Sequence, residues 1–311
     1  MAHAERRAQR ALRRLVGATS CPVEIVDSGG ALRAAVRPDT IAVVDMAIAQ
    51  AMPWLREQAA RAWVAVPGEG LAPAAPGAVD ALLAAGWSHV IAHPMPILAE
   101  ELVATVQKLL RGDVFGVEKY LAWGAELRTY TLGDAGERES AVRLLAEDVI
   151  SVGMSERVAS LVSVIADELL ANALYSAPVD PAGQRFRASE PRDRKRALRG
   201  RDVVTVRWAT DARYLALEVR DRWGTLEPRA VAAALARSGA AAGEAARAGA
   251  AASEPGMGLA LAYACCNQFV VNHEPDVMTE AIALLDVRYR PIELGRAASF
   301  HAFVAPSPDD C

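Results

Sequence analysis

Residues 167–173 read Asp167-Glu168-Leu169-Leu170-Ala171-Asn172-Ala173. Glu168 and Asn172 are four positions apart, so on a helix both leave from one face, while Leu169 and Leu170 turn toward a core. An amide oxygen is a hard, neutral ligand that suits Mg²⁺, an ion bound through few protein groups together with phosphates and water. A carboxylate one turn earlier can orient or deprotonate a nucleophile beside a γ-phosphate. An amphipathic helix with two incidental polar residues would read the same way, so this stretch needs support from its neighbours.

Downstream, residues 215–224 (LALEVRDRWG) read as a strand ending at Asp221, followed by a turn closed by Gly224. An aspartate there can accept a hydrogen bond from an adenine amino group, and glycine lets the backbone come close to the base. Taken singly, an ordinary Asp/Gly turn explains the same letters. Residues 254–259 read Glu254-Pro255-Gly256-Met257-Gly258-Leu259, directly before a helix. Two glycines at a helix start free backbone N–H groups for phosphate, and the helix dipole favours the negative charge. An Ala/Gly-rich stretch, Ser238–Glu254, precedes this box and is expected to be a mobile lid.

The three boxes stand in the order helix, strand–turn, loop–helix. The arrangement resembles the GHKL superfamily of ATPases, which includes histidine kinases, anti-sigma-factor serine kinases and gyrase. The pattern Glu168-Leu169-Leu170-x-Asn172-Ala173, preceded by a strand and a helix rather than a phosphoacceptor hairpin, is most similar to the anti-sigma-factor serine-kinase-like branch. The resemblance covers about residues 127–306. It implies that Asn172 ligands Mg²⁺ and that Glu168 is the catalytic base or water-orienting group. It implies that Asp221 binds the adenine amino group with Gly224 shaping the turn, and that Gly256 and Gly258 contact the phosphates. The family's second box reads Asp-x-Gly-x-Gly, whereas Trp223 holds the first glycine position here. Trp223 is expected to pack against the adenine or against the core.

Upstream of Leu127 the sequence changes character. A helix at 4–17, an apolar run at Val23–Val26, a Ser-Gly-Gly turn and a helix from Ala31 lead to a strand at Thr40–Asp45. Apolar runs at Ala62–Val66 and His89–Ala92 follow helices at about 48–61 and 78–86, and a last helix spans about 97–111. Strands alternating with helices predict a parallel sheet covered on both faces. This order resembles a response-regulator receiver, with Asp45 at the phosphoacceptor position and His93-Pro94 where receivers place Lys-Pro. The strand bearing a receiver's acidic pair is expected to be missing, because the chain begins at what would be the first helix. Asp45 is therefore read as structural, in a degenerate domain that docks a partner or a second copy of itself.

The expected fold is α/β. A receiver-like parallel α/β sandwich spans 1–112, a connector 113–126, and a histidine-kinase-like two-layer α/β sandwich with a mixed sheet 127–311. In the second region, strands are expected at 127–132, 202–208, 213–220, 268–272, 279–288 and 299–304. Helices are expected at about 136–151, 155–175, 228–237 and 258–267. Over 311 residues, 52% hydrophobic and 23% charged content is ordinary for a folded domain pair. The net charge of −4 argues against a general nucleic-acid binder. The opening MAHAERRAQRALRRLVG lacks a signal-peptide core, and no run approaches about 18–20 apolar residues, so no membrane span is expected. Cys21, Cys265, Cys266 and Cys311 make no metal spacing or disulfide framework, which fits a reducing cytoplasm, with Cys265 and Cys266 read as buried thiols. His3, His89, His93, His273 and His301 lie outside any phosphoacceptor pattern, and the arginines between 192 and 201 read as a solvated loop.

Two functions fit these expectations. One is a cytoplasmic Mg·ATP-dependent protein serine/threonine kinase of the anti-sigma type, acting on a sigma factor, an anti-anti-sigma protein or another regulator. The other is a nucleotide-binding scaffold that sequesters its protein partner without phosphoryl transfer. The Glu168/Asn172 pair favours the first, Trp223 and the degenerate receiver the second.

Overall fold

The computed structural model describes residues 1–27, 29–75, 77–192, 194–248, 257–288 and 297–306. They fall into two compact units, Met1–Val114 with Ala297–Phe303, and Phe115–Arg296 with Val304–Cys311.

In the amino-terminal unit, α1 (Arg6–Gly17), α2 (Gly29–Ala35), β1 (Ile41–Asp45), α3 (Met46–Ala51), β2 (Ala62–Val66), α4 (Ala78–Ala84), β3 (His89–Val90) and α5 (Ile97–Arg111) follow in order. β1 pairs parallel with β2, and β2 with β3. Val43, Val64, Val66 and Ile91 pack with Ala8 and Leu12 of α1 and Leu98, Leu102 and Val106 of α5. Side chains alternate along a strand, so buried Ala42, Val44 and Ala65 point to the opposite face. The helix expected over 48–61 is instead α3 followed by a 3-10 turn at Pro53–Glu57, because Pro53 lacks the N–H that would continue the ladder. The position beside β1 is also not empty. Ala2 forms a parallel bridge with Val44, its N–H donating to Val43 O at 2.9 Å and its carbonyl accepting from Asp45 N at 3.1 Å. The late strand β9 (Ser299–Val304), expected in the second region, pairs antiparallel with β3, His301 opposite His89.

In the carboxy-terminal unit, β4 (Arg128–Thr131), α6 (Arg138–Ser151), α7 (Glu156–Ala171), β5 (Thr205–Thr210), β6 (Tyr214–Asp221), α8 (Pro228–Ala248), α9 (Gly258–Ala264), β7 (Gln268–Glu274) and β8 (Met278–Asp286) follow in order. The strands lie in the order β7-β8-β6-β5-β4. All four of these pairings are antiparallel, so the mixed character of the chain's pairing comes from the parallel strands of the other unit. The hairpin β5–β6, joined across Asp211–Arg213, admits no other direction. α8 runs to Ala248, eleven residues beyond the expected end at 237. Alanine is the best helix former, and the alanines here outweigh the cost of the glycines among them. Of the expected lid, 238–248 is therefore helix, and 249–254 lies outside the described residues.

The two faces of this sheet differ. Trp208 and Leu217 face the helices, and Trp208 Nε1 donates to Asp148 of α6 at 2.7 Å. Arg207, Glu218, Arg220 and Glu280 face the connector, whose Gly116 N–H donates to Glu280 and whose Val117 N–H donates to Glu218 at 3.1 Å. Burial, followed by the neighbouring Glu280, pushes the Glu218 carboxyl up to about 7. Among the described residues one helix, Glu156–Ser176, has the length and composition to cross a bilayer. Its Val162, Ile165, Leu169 and Leu170 are at most 2% exposed, packed in this unit's core.

Candidate functional site

Ser155 starts α7, its hydroxyl accepting from Val158 N. Leu161, Val162, Ile165, Leu169 and Leu170 are buried, and Glu168 and Asn172, one turn apart, are each half-buried. The helix does not end at Asn172. It widens into a π-helical turn, Asn172–Ser176, with Ala177 N–H donating to Asn172 O at 2.8 Å. Such turns recur at functional sites because they re-aim side chains.

Glu168 and Asn172 line a cavity of about 320 Å³ with Tyr175, Leu226, Val231, Gly258 and several arginines. That volume is at the small end of ligand pockets. Gly258 opens α9 hard against the carboxylate: a Cβ there would stand 2.2 Å from Glu168 Oε2. Cys265 lies on the same side, its thiol pushed up to about 11 by burial and by the charge of Glu168. Both Cys265 and Cys266 are buried and free, as expected.

Asp221 ends β6 and is 3% exposed. Its Oδ1 accepts from Trp223 N at 2.8 Å and from Gly224 N at 3.3 Å. Burial pushes its carboxyl up to about 6, against those two hydrogen bonds and the charge of Arg201. Gly224 adopts φ +61°, and its carbonyl accepts from His273 Nε2 at 2.8 Å. Neither Asp221 nor Gly224 lines the cavity around Glu168. The two places are tied by Thr225, whose hydroxyl donates to Ala177 O at 2.7 Å, and by Leu226, which does line the cavity. Gly256 lies outside the described residues.

Trp223 is half-buried at the turn rather than in the core centre. Its ring sits edge-on to Phe186, 6.3 Å between centroids, with the Arg201 guanidinium 4.6 Å above it. Arg201 also donates to the carbonyls of Arg222, Trp223 and Asp276, and so clamps the turn after Asp221. The loop of residues 178–201 is therefore folded onto this unit rather than solvated throughout: Arg187 is 8% exposed and forms a two-pronged pair with Asp202.

One residue went unmarked in sequence. Thr279 stands opposite Asp221 in the β6–β8 pairing, and its buried Oγ1 has no hydrogen-bond partner among the described residues. An orphaned buried hydroxyl costs free energy unless something else engages it. Its only signal is strand register, which no local motif carries.

In the amino-terminal unit Asp45 is 1% exposed, and both carboxylate oxygens are taken. Oδ1 accepts from Ile48 N at 2.8 Å, capping α3, and Oδ2 accepts from Ala4 N at 2.8 Å. His93 Nδ1 lies 3.0 Å from Glu101 Oε2 and 3.0 Å from Ser299 Oγ. Asp45 is thus buried with each oxygen engaged by a backbone N–H, as a structural cap rather than an open phosphoacceptor. Acetyl phosphate should leave the intact mass unchanged, and an adduct of about 80 daltons that vanishes in Asp45→Ala would overturn the structural role.

Among the described residues, no group of three or more His, Cys, Asp or Glu side chains is arranged to hold a metal ion. Mg²⁺ bound through a single amide and nucleotide phosphates needs no such group. Compared with known proteins, the sequence matches no family model and no curated protein.

Proposed function

We propose that the carboxy-terminal unit binds Mg·ATP as a histidine-kinase-like ATPase domain of the anti-sigma serine-kinase-like branch, in a cytoplasmic signalling protein. The observation that carries this reading is the convergence of Glu168, Asn172 and the start of α9 on one cavity, where Gly258 lies close against the Glu168 carboxylate. Asp221 and Thr279 add a carboxylate and a hydroxyl that has no partner among the described residues, both suited to an adenine edge. A buried carboxylate held up to about 6 by burial costs stability when ionised, which is the usual mark of a functional group.

Asn172 would ligand the Mg²⁺, which supplies charge neutralisation on the phosphates when bound. Glu168 would accept the proton of, or orient, a protein hydroxyl approaching from the cavity mouth. The chain's part is then to hold the hydroxyl and the phosphate in line and exclude water. The acceptor is a serine or threonine on a partner: a sigma factor, an anti-anti-sigma protein or another regulator. Incubation with γ-labelled ATP and such partners tests this. Label on the partner, lost in Glu168→Gln while ATP still binds, supports the kinase. Binding without transfer to any partner supports the scaffold reading instead. Trp223, locked between Phe186 and Arg201 where the family has glycine, is what favours that second reading.

Adenine recognition by Asp221 has a pH signature. The ionised carboxylate is acceptor-only, and protonation converts one oxygen to a donor. Nucleotide affinity should therefore fall, by roughly tenfold, as the pH drops from about 7 to about 5 through the Asp221 value of about 6. Asp221→Asn should bind weakly at both ends of that range. A wild-type affinity that is flat with pH would remove Asp221 from the base subsite.

A further inference from the structure

We propose that Arg185, Arg192 and Arg237 form a polyphosphate-binding wall of the Glu168/Asn172 cavity, so that the site prefers a nucleoside triphosphate to a diphosphate or a nucleoside. The inference rests on the ATP reading and adds side chains that no motif marked. Arg185 and Arg192 come from the loop between α7 and β5, and Arg237 from α8, yet all three line the same cavity. Among the described residues, none of the three guanidinium groups has a hydrogen-bond or ion-pair partner. Other arginines of the loop are committed: Arg187 to Asp202, and Arg196 to Glu190. Glu190 also lines the cavity and is paired with Arg196, so the lining holds Arg185, Arg192 and Arg237 beside two carboxylates, Glu168 and Glu190.

The position of the wall is built in. Tyr175 Oη, from the π-helical turn of α7, donates to Arg192 O at 2.8 Å. Arg196 N donates to Asp134 at 3.1 Å, and Arg196 O accepts from Ala135 N at 2.9 Å. The backbone is thus fixed at Arg192 and at Arg196, and Arg192 is held in the cavity lining. A planar guanidinium fork matches phosphate oxygens in pairs, which a lysine does not. Exposed guanidinium groups keep their hydration while unpaired, so an open wall costs the fold little. A neutral nucleoside gains nothing from it, and each added phosphate gains a contact.

The test is calorimetric titration of the full chain and of Arg192→Ala/Arg237→Ala with Mg·ATP, ADP, adenosine and inorganic tripolyphosphate. Both arginines are exposed and, among the described residues, unpaired, so the variant should keep its circular dichroism spectrum and melting temperature. The variant should lose roughly 100-fold in affinity for Mg·ATP and tripolyphosphate, about tenfold for each charge-assisted contact, with adenosine changed less than about twofold. Arg192→Lys/Arg237→Lys should recover part of the loss. Equal Mg·ATP affinity in wild type and variant would overturn this inference and leave the ATP reading standing. Tripolyphosphate binding that depends on the arginines, without ATP binding, would support the wall and overturn the ATP reading. No binding of either probe would overturn both.

Discussion

Replacing Gly224 with alanine should destabilise the carboxy-terminal unit by about 3 kcal/mol or more. Gly224 has φ +61°, a region that costs an L-residue roughly 1–2 kcal/mol. A Cβ there would also lie 2.3 Å from Glu274 O, 2.6 Å from Val277 N and 2.8 Å from Asp276 N. These are backbone atoms of the β7–β8 turn, so no side chain can swing away. The turn would have to shift and would break the Asp276 N–H bond to Gly224 O. The expected drop in melting temperature is on the order of 10 °C. Gly183→Ala is the control, because Gly183 has φ +77° but nothing within 4 Å of its Cβ position. Equal losses at the two glycines would mean that backbone strain alone acts and that the close approach at Gly224 is not real.

The second large effect concerns Glu101. Its carboxylate is buried in the amino-terminal unit and accepts from His93 Nδ1 at 3.0 Å and His301 Nε2 at 2.8 Å. Burial alone would raise its pKa, but the hydrogen bonds from His301 and His93, and their charge, outweigh burial and hold it at about 2. Glu101→Ala leaves two buried imidazoles without their acceptor and should cost about 3–5 kcal/mol. The acid dependence has a definite sign. The folded value, about 2, lies below the ordinary 4.5, so the stabilisation is complete above about 4.5 and is lost as the pH falls through about 2. It amounts to about 3 kcal/mol in a fully buried group. Urea unfolding from pH 7 down to about 2.5 should show this slope in wild type and lose it in Glu101→Gln. An unchanged slope in that variant would assign the acid sensitivity elsewhere.

The parts of the fold written in periodicity were legible. β1, β2 and α5 fall where the apolar runs and the 3.6-residue pattern put them, because burial on both faces leaves a continuous apolar strand. The elements that differed depend on contacts distant in sequence. β9 belongs with β3 because His301 and Ser299 reach Glu101 and His93, about 200 residues away. Glu218 and Arg220 alternate along β6 as if one face met water, yet the connector covers them. α8 runs on into the Ala/Gly-rich stretch expected to be a lid, because helix-forming alanines outweigh the glycines there. At the site, Glu168 and Asn172 were legible because four-residue spacing is local. Thr279 was not, since it meets Asp221 only through antiparallel register. Trp223 could be flagged as a departure, but its partners Phe186 and Arg201 lie in a loop that has no periodicity.

The central claim is that Glu168, Asn172 and Asp221 serve one nucleotide. Isothermal titration with Mg·ATP, compared across wild type, Glu168→Gln and Asn172→Ala, tests it most directly. Wild type and Glu168→Gln should bind with similar affinity, because the carboxylate acts on the incoming nucleophile rather than on the bound nucleotide. Asn172→Ala should lose Mg²⁺-dependent binding, and saturating nucleotide at 100 times its dissociation constant should stabilise wild type by about 2.7 kcal/mol. No heat with Mg·ATP in wild type, together with no rise in its melting temperature, would contradict the claim.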